Sequence, residues 1–243
     1  AALQSDNLDR KEVDKTITEQ AIQLLQHPDQ QQKKSTVLFQ SNWHKGVVGI
    51  VASRLIDHYY RPTIVLTESN GMASGSARSI PGFNIHEAIE ACSHLLENYG
   101  GHYFAAGMTM QLNQVDAFIA AFEKQVADTI DPAILIPEIS IDAELQLSDI
   151  TPALLNLINQ FEPFGPQNMT PTFMTKNIKD TGYAKPLGKD DEHLKLFIKQ
   201  NGSEGFGAIG FGLGPKLDLI QNQKTFDAVY CIDENEFNGN VSV

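Results

Sequence analysis

Three short stretches hold residues that neither a core nor an ordinary surface requires, and each has the chemistry of an anion site. Gly75-Ser76-Ala77-Arg78-Ser79 sets two hydroxyls around a guanidinium in a segment of little bulk. A guanidinium presents a planar fork of donors that matches a phosphate, and the hydroxyls add donors at shorter range. Arg78 is the only basic residue between Arg61 and Lys124, so a salt bridge in an acidic region would explain it equally. Gly100-Gly101-His102-Tyr103-Phe104-Ala105-Ala106-Gly107 places an imidazole against close-packed backbone, where it can donate to a phosphate oxygen or move a proton. A helix C-cap would account for Gly100 but not for the Ala-Ala-Gly run. Trp43-His44-Lys45-Gly46-Val47-Val48-Gly49-Ile50 falls between a strand and a helix, where free N–H groups and the positive helix end favour an anion. His44 is its candidate donor. A tight turn with Trp43 packed beneath it is the competing explanation.

The elements that must carry these stretches follow from periodicity. Val13, Ile17, Ala21, Leu24 and Leu25 have helical spacing within Leu8 to Leu25, and the polar tract from His27 to Lys34 is a surface connection. A strand is expected over Thr36 to Phe39, a helix over Gly46 to Tyr59 and a buried strand over Thr63 to Leu66. Gly71 to Ser79 is small and polar, closed by Pro81-Gly82. A helix N-capped by Asn84 is expected to run to Tyr99 and stop at Gly100-Gly101. A strand over Met108 to Leu112 and a helix over Val115 to Ile130 complete an alternation that predicts an α/β domain over residues 36–132. Residues 1–35 read as a connecting helix and linker. Beyond Pro132 to Pro137 the character changes. One helix, Pro152 to Phe161, lies among strands at Ile139 to Leu145, Thr172 to Thr175, Leu194 to Ile198, Phe206 to Phe211 and Ala228 to Ile232. Residues 136–243 therefore predict a smaller, mostly β barrel.

The net charge of −12 opposes binding to a polyanion, since phosphate contacts rest on Lys and Arg. Its distribution softens the objection. Between Ser79 and Thr175 the only basic residue is Lys124, whereas Lys176 to Lys224 is rich in lysine. Lys176, Lys179, Lys185, Lys195 and Lys199, with Tyr183, Phe197 and Phe206, could serve a single strand, which needs cations beside faces on which bases stack. Aromatic residues of a small barrel are more often core, so His193 and Lys195 are the candidates retained there. Cys92 and Cys231 are too few and too far apart for a disulfide framework or a zinc site, and buried thiols in a reducing cytosol are expected. No apolar run is long enough for a membrane-spanning helix. No Asp-x-Asp or Asp-His-His metal cluster occurs, and Asp57-His58-Tyr59 reads as a solvent-facing helix end.

Taken in order, Ser76 to Ser79 and Gly100 to Gly107 resemble the DHHA1 domain of the DHH phosphoesterase superfamily. Trp43 to Ile50, Ala52-Ser53-Arg54-Leu55 and Arg61-Pro62 narrow the resemblance to the RecJ-type single-strand exonucleases. Phe161 to Gly165, His193-Leu194-Lys195, Ala208 to Phe211 and Asn235 to Gly239 resemble the oligonucleotide-binding (OB) barrel of that family. The resemblance implies an α/β DHHA1 domain followed by an OB-type barrel whose last strand, entered at Asn238 to Val243, continues past Val243. It implies the substrate-holding portion of a 5′→3′ single-stranded-DNA exonuclease of repair and recombination. The two Mn²⁺ or Mg²⁺ ions of such an enzyme are held by a preceding DHH domain, so the chain alone would be inactive. Ser76, Arg78 and Ser79 would grip a phosphate, His102 with Gly100 and Gly101 would contact the scissile phosphate, and Arg10 would add to a 5′-phosphate pocket. Single-stranded DNA is the implied partner, a single-strand-binding protein a further one, and the cytoplasm the implied location. Two other readings stand beside it: an oligoribonucleotide or cyclic-dinucleotide phosphodiesterase of the same superfamily, and a non-catalytic nucleic-acid-binding module.

Overall fold

The computed structural model describes residues 2–200, 202–221, 224–237 and 240–242. The chain divides into two compact units, residues 1–138 and 139–243. No described helix is long and apolar enough to cross a membrane.

The first unit begins with α1 (Ala2–Leu25) and the short α2 (Pro28–Gln31), followed by β1 (Thr36–Phe39), α3 (Val48–His58), β2 (Thr63–Ser69) and β3 (Met72–Arg78). Then come α4 (Ile85–Glu90), β4 (Asn98–His102), β5 (Ala105–Gln111) and α5 (Val115–Thr129). The five strands form one sheet in the order β1-β2-β3-β5-β4, parallel between β1 and β2 and antiparallel elsewhere.

Side chains alternate between the two faces of a strand, so the register sorts the residues. One face carries Ile64, Leu66, Ala77, Ala106, Met108 and Met110, buried with Ile85 and Ile89 of α4 and Phe118, Phe122 and Val126 of α5. Each large side chain buried there contributes about 1.5–3 kcal/mol. The other face is covered over β1 and β2, where Leu38 and Val65 pack with Val48, Val51 and Leu55 of α3 and Ile17, Ala21 and Leu25 of α1. Towards β4 the same face is bare, and Gly100, His102 and Gly107 are exposed.

Two polar clasps fasten the N-terminal helices to this unit. Arg54 pairs with the buried Asp14 at 2.6 Å, joining α3 to α1. The buried Arg61 donates to Thr36 Oγ1 (2.7 Å) and to the carbonyls of Gln30 (2.8 Å) and Lys33. The Arg61-Pro62 dipeptide is thereby explained as a linker anchor. Asp57 and His58 sit exposed at the end of α3, as expected of a helix end.

The small polar stretch before Ser79, to which periodicity assigns no element, is a strand: β3 lies between β2 and β5. The helix expected to reach Tyr99 ends at Glu90, although Asn84 does cap it, accepting from the His86 and Glu87 N–H groups. Asn98 to His102 instead pairs with β5. Ladder hydrogen bonds from a distant strand outweigh the weak local preferences of glycine, serine and asparagine.

The second unit contains β6 (Ala143–Glu144), α6 (Pro152–Asn159), β7 (Phe173–Asp180), β8 (Lys185–Leu187), β9 (His193–Lys199) and β10 (Phe206–Gly210). The short α7 (Leu217–Ile220), β11 (Phe226–Tyr230), β12 (Asn235–Phe237) and β13 (Asn240–Ser242) follow. The main path of pairing is β10-β9-β7-β11, with β6 added to β7 and β8 to β9. It does not close on itself among the described residues. Leu147, Ile178 and Ile198 form one core cluster, and Leu155, Ile158, Phe173 and Ile232 another. The strand expected over Ile139 to Leu145 shrinks to two residues, and β8 has no counterpart in the periodicity. Of Asn238 to Val243, residues 238, 239 and 243 lie outside the described residues, and Asn240–Ser242 pairs antiparallel with β12. Cys92 is buried as expected, but Cys231 is exposed.

Candidate functional site

Two rows of cross-strand neighbours build the open part of the sheet. Thr63, Arg78, Ala105 and His102 form one row, and Val65, Ser76, Gly107 and Gly100 the next. Residues opposite one another share a face, as do residues two apart on one strand. Arg78, Ser76, Ala105, Gly107, Gly100 and His102 therefore converge on one side. Arg78 and His102 are two strand spacings apart, about 10 Å between backbones. The floor between them is made of Ala105 and glycine.

The Arg78 guanidinium is held in place. Its Nη1 donates to Ser76 Oγ and to the Ala77 carbonyl, both at 2.8 Å. Ser76 accepts that bond, so its own hydroxyl hydrogen remains for a ligand. A Cβ on Gly49 would lie 2.9 Å from Arg78 Nη2 and 3.1 Å from Ser76 Oγ. Gly49, in the first turn of α3, thus clears the space that the guanidinium occupies. No side chain caps the start of this helix. Gly49 belongs to the Trp43 to Ile50 stretch, but only the α3–β3 contact shows what its missing side chain admits.

His102 closes the β4–β5 hairpin opposite Ala105. Its Nδ1 accepts from the Phe104 N–H at 3.3 Å, so the neutral ring carries its hydrogen on Nε2 as a donor. The turn is pinned from outside: Ser79 N–H donates to the Phe104 carbonyl at 2.9 Å and Ile85 N–H to that of Tyr103 at 3.1 Å. The hairpin's glycines divide into two kinds. Gly101 has φ +155°, and a Cβ there would lie 2.3 Å from the Ala105 carbonyl oxygen, so the fold itself demands glycine. Gly100 has nothing within 4 Å of an added Cβ, and Gly107 only the Gly75 carbonyl at 3.8 Å. Packing gives no reason for glycine at those two positions; close approach of a ligand does.

Other residues expected at the site have different surroundings. The Ser79 hydroxyl spends its hydrogen on the Phe83 carbonyl at 2.6 Å. It fixes the turn after β3 and is not free to donate. His44 is exposed in the loop before α3, its Nδ1 accepting from Gly46 N–H at 3.1 Å, which again leaves Nε2 as the donor. Arg10 stands exposed on α1, and among the described residues no hydrogen bond or ion pair joins it to Arg78.

The second unit offers a different surface. Lys185 lies opposite Lys195 and Lys179 opposite Lys199, all exposed on one face, with Phe197 and His193 alternating along β9. Like charges directly across strands destabilise a sheet, and among the described residues none of these four lysines has an ion pair. Lys176, by contrast, is paired with Glu144 at 2.8 Å. Tyr183 is 74% and Phe211 75% exposed, and Phe197 40%. Tyr183 stands edge-on to Phe197 at 6.4 Å, and Phe211 edge-on to His193 at 5.2 Å. Phe206 instead belongs to the core. The Tyr183 loop is fastened by the buried Asp180, which accepts from the N–H groups of Gly182 (2.7 Å), Ala184 (3.0 Å) and Phe197 (3.1 Å). Residue type alone does not single out Phe211, and the role of Asp180 rests on a contact with another strand.

Among the described residues no group of three or more His, Cys, Asp and Glu side chains is gathered to hold a metal ion. The described residues therefore supply no ligand set for a divalent metal centre.

Comparison with known proteins matches the two units to two named domains. Residues 32–128 match the DHHA1 domain and residues 141–243 the RecJ OB domain. The chain is 32% identical over 236 residues to the single-stranded-DNA-specific exonuclease RecJ of Bacillus subtilis, covering 96% of this chain and 29% of that protein. It is 31% identical to the protein of that name from Haemophilus influenzae, covering 100% of this chain and 44% of the relative. It thus spans less than half the length of these relatives. The crystal structure of RecJ in complex with Mn²⁺ from Thermus thermophilus superposes over 99% of this chain and 34% of that one, with a TM-score of 0.75 and 26% identity. A second structure of that protein is a complex with Mg²⁺.

Proposed function

We propose, from the premise that this chain belongs to the RecJ family and carries its DHHA1 and OB domains, that it is the part of a 5′→3′ single-stranded-DNA exonuclease that holds the substrate. The observation that carries the reading is the convergence of Arg78, Ser76 and His102 on one open sheet face floored by glycines that packing does not require. Arg78 and Ser76 grip a phosphate through charge-assisted and hydroxyl hydrogen bonds. His102 donates from Nε2 to the phosphoryl oxygen about to bear charge, and Gly100 and Gly107 let the strand lie against the sheet. Ser79 and Gly101 hold the turns that present these groups. Divalent ions, Mn²⁺ or Mg²⁺, supply the hydrolytic chemistry, with no ligands assigned among the described residues.

In the OB domain, Lys179, Lys185, Lys195 and Lys199 neutralise backbone phosphates, while Tyr183, Phe197 and Phe211 stack bases. His193 orients Phe211. A single-strand-binding protein is a proposed partner, and the cytoplasm the proposed location.

The reading is tested with Arg78→Ala in the complete enzyme. We expect cleavage of 5′-phosphorylated single strands to fall by about 10²–10³, in line with loss of one preorganised donor to a developing charge. Affinity for long single strands should change only a few-fold, because the OB lysines still bind. Equal losses in cleavage and binding would make Arg78 an ordinary backbone contact and remove the claim.

A further inference from the structure

A cleft of about 460 Å³ opens between α1 and the loop before α3, and nothing in the phosphate site uses it. Trp43 forms its floor, 4% exposed, with Val13 and Ile17 as an apolar wall. Around them stand Thr16, Gln20, His44 and Glu12. Their hydrogen bonds fix what each can offer. Gln20 Oε1 accepts from the Trp43 indole N–H at 2.9 Å, so the Gln20 amide NH₂ is left as a donor. His44 presents an Nε2–H donor, since its Nδ1 is occupied by Gly46. Thr16 and Glu12 supply acceptors. No lysine or arginine lines the cleft, and Glu12 would repel an anion. The matching ligand is flat, neutral, apolar on its faces and polar at its edge, with both donors and acceptors.

The cleft also lies within reach of the phosphate. Thr67 Oγ1 donates to the Trp43 carbonyl at 2.6 Å. Thr67 pairs with Ser74, two residues before Ser76, which puts the Trp43 main chain roughly 10 Å from Ser76 by strand spacings. We infer that this cleft is a nucleobase site, taking one base of the strand whose phosphate lies on Arg78 and Ser76. The inference rests on the phosphate reading above and extends it: His44 then reads a base edge and does not bind phosphate.

Trp43 is the only tryptophan in the chain, so it reports on the cleft alone. The chain is titrated with a 5′-phosphorylated thymidine tetranucleotide and with a 5′-phosphorylated abasic strand of the same length, followed by Trp43 fluorescence and the indole N–H resonance. The thymidine strand should shift both signals and bind roughly tenfold more tightly, the scale of one stacked base. The abasic strand should bind without moving Trp43. Thr16→Phe, an exposed helix position, should fill the cleft, abolish the Trp43 response and reduce the thymidine strand to the affinity of the abasic one. Arg78→Ala should weaken both strands alike. If the abasic strand shifts Trp43 as thymidine does, or Thr16→Phe leaves the response intact, the base site is wrong. An Arg78-dependent binding with a silent Trp43 sinks the cleft and spares the phosphate site. Failure of the parent chain to bind either strand sinks both.

Discussion

On the proposed reading, the two units would meet a polyanion by opposite means. The first supplies one guanidinium, one hydroxyl and one imidazole, each tied to backbone or to a neighbouring side chain, on a floor of small residues. The second supplies four exposed lysines with no ion pairs among the described residues, and aromatic rings that stand largely in solvent. Fixed donors recognise one phosphate in one geometry and gain little from extra charge. Mobile cations and stacking faces bind any strand and recognise little. The net charge of −12 is unevenly spread along the sequence, with Lys124 the only lysine or arginine between Ser79 and Thr175 and lysines concentrated from Lys176 onward.

The largest effect should come from breaking the geometry of the first unit. Gly101→Ala would drive a Cβ to 2.3 Å from the Ala105 carbonyl oxygen, and we expect a loss of about 3 kcal/mol in stability. Gly107→Ala meets nothing nearer than the Gly75 carbonyl at 3.8 Å, an ordinary contact. Its melting temperature should hold or rise, while binding of short 5′-phosphorylated strands weakens about tenfold, or 1.4 kcal/mol. Equal destabilisation by both would erase the distinction between a structural and a ligand-facing glycine.

The second unit should answer differently. Tyr183→Ala should cost about 1–3 kcal/mol in single-strand affinity and leave the salt dependence unchanged, the mark of lost stacking. Replacing Lys185 and Lys195 together by Gln should lower the slope of log K against log salt by roughly 1.4, two phosphates at about 0.7 each. Thermal stability should not fall, because two like charges facing across a ladder are removed. A salt slope that moves with Tyr183 and not with the lysines would reverse the assignment.

The smallest effect sharpens the contrast in accessibility. A thiol reagent should modify the exposed Cys231 quickly. Cys92 should react only on unfolding, because burial both shields it and pushes its thiol pKa up, which leaves little thiolate at neutral pH. Fast reaction at both sites would show the first unit opening near α4.

Much of this was legible in the residues. The helical period of α1, α3 and α5 and the strands β1 and β2 follow from apolar spacing alone, and Ser76, Arg78 and His102 were marked by types that packing does not call for. Local signals failed where backbone pairing decided the outcome, at β3, β4 and β8, whose glycines, serines and lysines carry no strand preference. Side-chain chemistry named Ser79 as a donor, yet one hydrogen bond to Phe83 assigns its hydrogen to a turn.

What the sequence determined by itself was the inventory: one arginine and one histidine among small residues, a lysine-rich second half, and the order of elements. Which of these meet was settled by register. A shift of one residue between β3 and β5, or between β5 and β4, would send Arg78 and His102 to opposite faces, because side-chain direction reverses at every residue of a strand. The same holds for Gly49 and Gly107, whose absent side chains matter only once another element, or the open side of a sheet, lies against them.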